Sequence, residues 1–219
     1  MKHLRPTDIR GAVQLATQAT VGAARIAEGV HQSVLQTLGA RQGRPTGKTS
    51  SITGLVYRAV RGVTQLVGQG VDAALTRLQP LFEAADRDAP ETPQREAVLA
   101  ALNGVLGDHL AATRNPLATP MTLRHQGQAL AVQAPLHLPG ASGKILLLVH
   151  GLCMNDLQWS VPVPPDSLHN HGTALAGALG YTPVYLRYNT GLPIASNGQT
   201  LAAQLALLLS HWPVPVTEL

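Results

Sequence analysis

Lys144-Ile145-Leu146-Leu147-Leu148-Val149-His150-Gly151 is the stretch on which the fold turns. Its apolar run is too short for a buried helix and does not alternate. Such a run suits a strand covered on both faces, as in the interior of a parallel sheet. Downstream, residues 169–179 read as a helix, 183–188 as a strand and 197–211 as a helix. The order strand, helix, strand, helix implies parallel strands joined by crossover helices. Val214 to Leu219 reads as the start of one more strand. Upstream, Met121 to His125 and Ala129 to Leu138 read as two strands joined at Gln126-Gly127, an antiparallel hairpin. Pro139-Gly140-Ala141-Ser142-Gly143 makes the turn into the apolar strand.

Before residue 116 the apolar spacing is helical. Ile9, Val13, Ala16, Thr20, Ala24, Ala27, His31, Val34, Leu35 and Leu38 recur every three or four residues, while Arg10, Gln14 and Gln18 fall off that stripe. Ile52, Leu55, Val56, Ala59, Val60, Val63, Leu66, Val67, Val71, Ala74, Leu75 and Leu78 make a second stripe. Two exposed stripes predict a hairpin of helices that bury their apolar faces against each other. The polar linker at 39–50 joins them. A third helix starts at Thr92-Pro93, with Val98, Leu99, Leu102, Val105, Leu106 and Leu110 as its expected buried face. Asn115-Pro116 ends it. The expected organisation is an all-α helical region at 1–115 and an α/β domain at 116–219.

Composition narrows the classes. The chain has 219 residues, of which 45% are hydrophobic and 3% aromatic, so a core must rest on Leu, Val, Ile and Ala. One cysteine, Cys153, excludes a disulfide framework. No run reaches the roughly 18 apolar residues of a spanning helix, and the first thirty residues lack a signal-peptide apolar block. The expected compartment is the cytoplasm, with a peripheral membrane contact as the alternative. Residues 1–61 hold nine basic and two acidic residues, whereas 116–219 hold three of each. Such a basic stretch suits an anionic membrane surface. Tyr57 is its one aromatic, which argues against a base-stacking platform for nucleic acid.

The strand running into His150-Gly151-Leu152-Cys153-Met154-Asn155-Asp156 resembles the oxyanion-hole loop of the α/β-hydrolase superfamily. Trp159, the segment His169 to Ala176, the segment Gly180 to Gly191 and the helix headed by Asn197-Gly198 extend the likeness. Together they resemble the lipase/esterase-like branch, which includes proteins similar to GPI inositol-deacylases. The likeness covers residues 121–219 and implies the N-terminal half of a hydrolase sheet. It implies a serine hydrolase of carboxylic or lipid esters, without a cofactor. It also implies an oxyanion-hole loop at His150, Gly151, Leu152 and Cys153, with the N–H of Leu152 as donor. Gly151 is expected to give the sharp turn. The family presents its serine on a Gly-x-Ser-x-Gly elbow, in a strand beside the His-Gly strand. No such motif occurs in residues 1–219. The expectation is therefore a truncated hydrolase with no catalytic residue present, inactive alone, with an open and poorly soluble sheet edge.

Asn155 and Arg187 are candidates for a substrate pocket, since Arg187 lies near the carboxyl end of its strand, where ligands gather in open α/β sheets. Other signals are weaker. Gly43-Arg-Pro-Thr-Gly-Lys-Thr49 has three residues between its glycines where a phosphate loop needs four. His169 and His171 would need a third metal ligand, for which Asp156 and Asp166 are the neighbours, and no metal site is expected. Cys153 reads as a small packing residue. The rival reading is a non-catalytic helical module that docks on a membrane surface or a protein.

Overall fold

A computed structural model of the chain describes residues 5–37, 58–59, 61–70, 72–73, 91–163 and 167–219. The chain divides into two compact units, Met1–Ala89 and Pro90–Leu219. The division falls well before the expected boundary at 115/116, because the third helix belongs with the sheet.

In the first unit, α1 spans Pro6–Thr37, and residues 58–59, 61–70 and 72–73 are helical. The two stretches run antiparallel. Arg10 Nε lies 2.6 Å from Asp72 Oδ1, Gln14 Nε2 donates to the same oxygen at 2.7 Å, and Arg61 pairs with Glu28. The hairpin thus forms, and among the described residues its seam includes polar side chains that lie off the expected stripes. Arg10, Gln14 and Glu28 line the seam, while Ile9, Ile26, Val63, Leu66 and Val67 are exposed. The expected helical positions 39–55 and 74–90 lie outside the described residues.

The second unit is α/β. Its elements are α2 (Pro93–Ala112), β1 (Thr122–His125), β2 (Gln128–Ala129), β3 (Ile145–Val149), β4 (Ser160–Val163), β5 (Ser167–Asn170), α3 (His171–Leu179), β6 (Thr182–Arg187) and α4 (Ile194–Ser210), with a 3-10 turn at Asp156–Trp159. The main sheet is mixed, in the order β2-β1-β6-β3. β3 and β6 are parallel, with Leu148 beside Tyr185, while β1 is antiparallel to both β2 and β6. Gln126 and Gly127 both have positive φ, 48° and 78°, as the tight β1–β2 turn requires. On the outer edge of β3, Lys144 forms a parallel bridge with Glu218, and Ile145 N–H donates to Glu218 O at 2.9 Å. The tail after Pro215 thus reaches the outer edge of β3 through one isolated bridge.

Alternation divides the sheet's side chains between two layers. Leu123, Ile145, Val184 and Leu186 face α4, whose Leu201, Leu205 and Leu208 close the core with Val132 and Trp212. Leu148 and Tyr185 face the other way, towards α3, where Gly172 passes under the Tyr185 ring. Asn170 caps α3 by accepting from Thr173 N–H at 2.9 Å, and left-handed Gly180 ends it. Among the described residues no helix is long and apolar enough to cross a membrane.

Three expectations fail locally. Residues 130–138 are not a strand, because their backbone bonds go elsewhere: Leu136 N–H donates to His211 O at 3.0 Å, and Val132 O contacts His211 Nδ1 at 2.8 Å. β4 and β5 form a separate two-stranded hairpin where no strand was expected, and helix α3 begins only after it. α2 buries Glu96, Ala100, Asn103, Gly107 and Leu110, so of the expected face Leu110 is buried and Leu99 and Leu102 are half-buried, while Val98, Val105 and Leu106 are exposed. Close approach drives this choice: a Cβ on Gly107 would sit 1.9 Å from Asn189 Oδ1, and one on Gly104 2.2 Å from Cys153 Sγ.

Gly107→Ala is expected to destabilise the second unit by about 1–3 kcal/mol through overpacking, despite the better helix propensity of Ala. Gly177→Ala, in open space on α3, is expected to stabilise by about 0.5–1 kcal/mol. Urea unfolding of the two variants tests both signs.

Candidate functional site

The loop after β3 meets the segment after β6. Their helices leave for opposite faces, α3 on one and α4 on the other, which makes the carboxyl ends of β3 and β6 a topological switch point where open α/β sheets bind ligands. Residues 187–190 hold the loop at three places. Tyr188 donates through its hydroxyl to His150 O at 3.0 Å, and its ring stacks on the His150 ring at 4.5 Å between centroids. Thr190 Oγ1 accepts the N–H of Cys153 at 3.1 Å. Arg187 Nε donates to Asp156 Oδ1.

Gly151 to Met154 forms a turn, closed by Met154 N–H donating to Gly151 O at 3.2 Å. The left-handed residue of this turn is Cys153, with φ 59°, and not the expected Gly151. A non-glycine residue there carries strain. Its N–H bond to Thr190 and the close approach of α2 at Gly104 hold it in place. Leu152 is 67% exposed, and its N–H donates to no atom among the described residues.

His150 is only 4% exposed. Its Nδ1 lies 3.0 Å from Gly151 O, which assigns the proton to Nδ1 and leaves Nε2 as an acceptor; Nε2 is buried and has no partner among the described residues. Burial lowers the imidazole below its ordinary pKa. The Gly151 carbonyl and the Asp156 charge push it up, and Arg187 pushes it down. Neutral His150 is therefore favoured in the fold.

Sequence reasoning missed the cluster around Arg187. Its Nη1 reaches Glu96 Oε2 at 3.0 Å and Glu91 Oε1 at 3.1 Å, and its Nη2 reaches Glu91 Oε2 at 3.0 Å. Arg124, on the same face of β1, brings Nε to 3.1 Å from Asp156 Oδ2 and Nη2 to 3.0 Å from Glu91 Oε2. Arg95 adds a contact to Glu96 at 2.5 Å. Burial pulls Arg187 towards its neutral form, but the Asp156 and Glu91 carboxylates more than reverse this and hold its pKa above the ordinary value. The signal was present: residues 116–219 have three basic side chains, and two of them stand in apolar strands. Such a charge must find a buried partner.

The candidate pocket residues thus have internal duties. All three nitrogens of Arg187 are taken by carboxylates. Asn155, 5% exposed, accepts from Leu157 N–H at 3.0 Å and so caps the 3-10 turn. His169 and His171 meet edge to face at 5.1 Å, but Asp156 is committed to the two arginines and Asp166 lies outside the described residues. No group of three metal-ligating side chains occurs among the described residues. Ser142 is spent on the start of β3, donating to Gly180 O at 2.8 Å.

No family model matches the chain, and neither a curated protein nor a solved structure is found to be similar to it.

Arg187→Met leaves three buried or half-buried carboxylates short of a cation and is expected to cost about 3–5 kcal/mol of stability in urea unfolding. His150 gives a second expectation. Its folded pKa lies below the unfolded value, so its contribution is full above about pH 6.5 and declines as pH falls from there towards the folded pKa. Stability measured at pH 7.5 and 5.5 should fall less in His150→Asn than in the parent; an unchanged difference would refute the assignment.

Proposed function

We propose that the second unit supplies the oxyanion-stabilising half of an α/β-hydrolase-type acyl-transfer site, acting on carboxylic or lipid esters. The observation that carries this reading is the uncommitted N–H of Leu152, on a pinned turn at the carboxyl end of β3. Acyl transfer builds negative charge on a carbonyl oxygen, and one fixed N–H donor contributes about 3–4 kcal/mol to the barrier. Arg187, Tyr188 and Thr190 keep that donor from reorganising, because each holds one point of the loop.

Residues 1–219 contain no Gly-x-Ser-x-Gly elbow, and among the described residues no side chain at the switch point replaces it. Cys153 has His150 near it in sequence, but the protonated Nδ1 of that ring faces Gly151 O. Its Sγ packs against Gly104 and lies 3.9 Å from Ala101 O. The parallel bridge of Glu218 to Lys144 favours a further strand beside β3, where the resembled family carries its nucleophile strand. On this reading residues 1–219 hold the oxyanion element without its nucleophile.

The test reads the gene beyond codon 219 in all frames. An apolar strand followed by Gly-x-Ser-x-Gly is expected, and the complete product should hydrolyse p-nitrophenyl esters. Leu152→Pro deletes the donor at a turn position that accommodates proline, and Gly151 tolerates the restriction proline imposes on its predecessor. It is expected to lower kcat about 10²–10³-fold with unchanged circular dichroism. Absence of an elbow in every frame, or unchanged kcat in Leu152→Pro, overturns the reading.

A further inference from the structure

Polar contacts fix the described seam of the helical unit, beside the buried Val21: Arg10 and Gln14 hold Asp72, Arg61 holds Glu28, and Gly68 lies so close to Thr17 that a Cβ there would sit 2.5 Å from Oγ1. The Arg10 hydrogen bond keeps the Asp72 carboxyl below its usual pKa, so the seam is ionised at neutral pH. On the second helical stretch, Ala59, Val63, Leu66, Val67 and Gly70 stand opposite the seam, at i, i+4, i+7, i+8 and i+11. Val63 is 63%, Leu66 72% and Val67 56% exposed.

Rolling this helix to bury the stripe would break both ion pairs and move Gly68 away from its close approach to Thr17. The stripe is therefore fixed outward. Isolated exposed apolar residues are ordinary, but a stripe at helical spacing opposite a satisfied seam needs a partner. Charge identifies which. Residues 1–61 carry nine basic and two acidic side chains, and basic segments are drawn to anionic lipid headgroups. Among the described residues no helix is long and apolar enough to span, and an amphipathic helix that does not span lies in the plane of the interface.

We propose that the helical unit docks on anionic lipid surfaces through the stripe Val63, Leu66 and Val67, with the basic stretch supplying the attraction. This holds whether or not the second unit belongs to a hydrolase. The experiment sediments the full 219-residue chain with phosphatidylcholine vesicles, with and without phosphatidylglycerol. Binding is expected only with the anionic lipid and should weaken by about tenfold or more at high salt. Leu66→Asp should abolish it, while Leu168→Asp, at an exposed site in the second unit, should not. Circular dichroism checks that Leu66→Asp keeps its helices, and Leu66→Gln serves as a milder second variant. Absent binding, equal binding to neutral vesicles, or binding untouched by both Leu66 variants overturns the proposal. So does a concentration-dependent dimer that Leu66→Asp dissolves without any vesicle binding, which would assign the stripe to a second copy of the chain.

Discussion

One guanidinium organises the second unit. Arg187 ends β6 with its side chain on the α3 face of the sheet, almost wholly buried. A cation there is untenable unless carboxylates surround it. The three that do so come from different parts of the chain: Asp156 from the loop after β3, Glu91 from the approach to α2, and Glu96 from its first turn. Each can reach Arg187 only if its own segment is correctly placed. Satisfying one charge therefore fixes the loop and the helix together. Arg124 then balances the carboxylates from the neighbouring strand β1.

The same end of β6 reads outwards residue by residue. Arg187, Tyr188 and Thr190 hold the loop at 150–156, while Asn189 donates to Gly107 O at 2.9 Å and Gly191 lies against the Asn103 carbonyl of α2. The loop that bears Leu152 is thus confined between a strand end and a helix. This explains how Cys153 can be kept at positive φ without being glycine, since neighbours on both sides offset the strain. A donor held in this way does not need to reorganise when charge appears before it, which is the requirement for electrostatic stabilisation of an acyl-transfer intermediate.

Much of this architecture was legible. The apolar run at 145–149, the strand at 182–187, the start of α2 at Thr92-Pro93 and the Gln126-Gly127 turn each carry a local signature that tertiary structure had no reason to override. What failed did so for identifiable reasons. Residues 130–138 look strand-like, but Pro135 removes a donor, Ala134 N–H turns back to Ala131 O, and Val132 and Leu136 are bonded to His211. β4 and β5 are short and proline-bearing, which disguises a hairpin. Helix orientation was misread because apolar periodicity was taken to mark the buried face. The Arg187 cluster is invisible to spacing rules, since its members lie up to 96 residues apart.

Those misread helices share one cause. With 3% aromatic residues the chain has few large side chains to fill a gap between elements, so its elements approach closely. Gly68, Gly104 and Gly107 make the approach possible, and at that spacing polar side chains reach across: Gln14 to Asp72 in one unit, Asn189 to Gly107 O in the other. Apolar contact is non-directional and tolerates sliding, whereas a hydrogen bond between fixed partners does not. Asn103 shows the consequence. It is 1% exposed, donates to Leu99 O and Leu117 O, and accepts from Thr119 N–H. No shift of α2 by a turn would preserve the bonds to Leu117 and Thr119, which lie outside the helix. A helix docked in this way is set in register by its polar seam, which leaves Val98 and Val105 on α2, like Val63 and Leu66 in the first unit, turned outward.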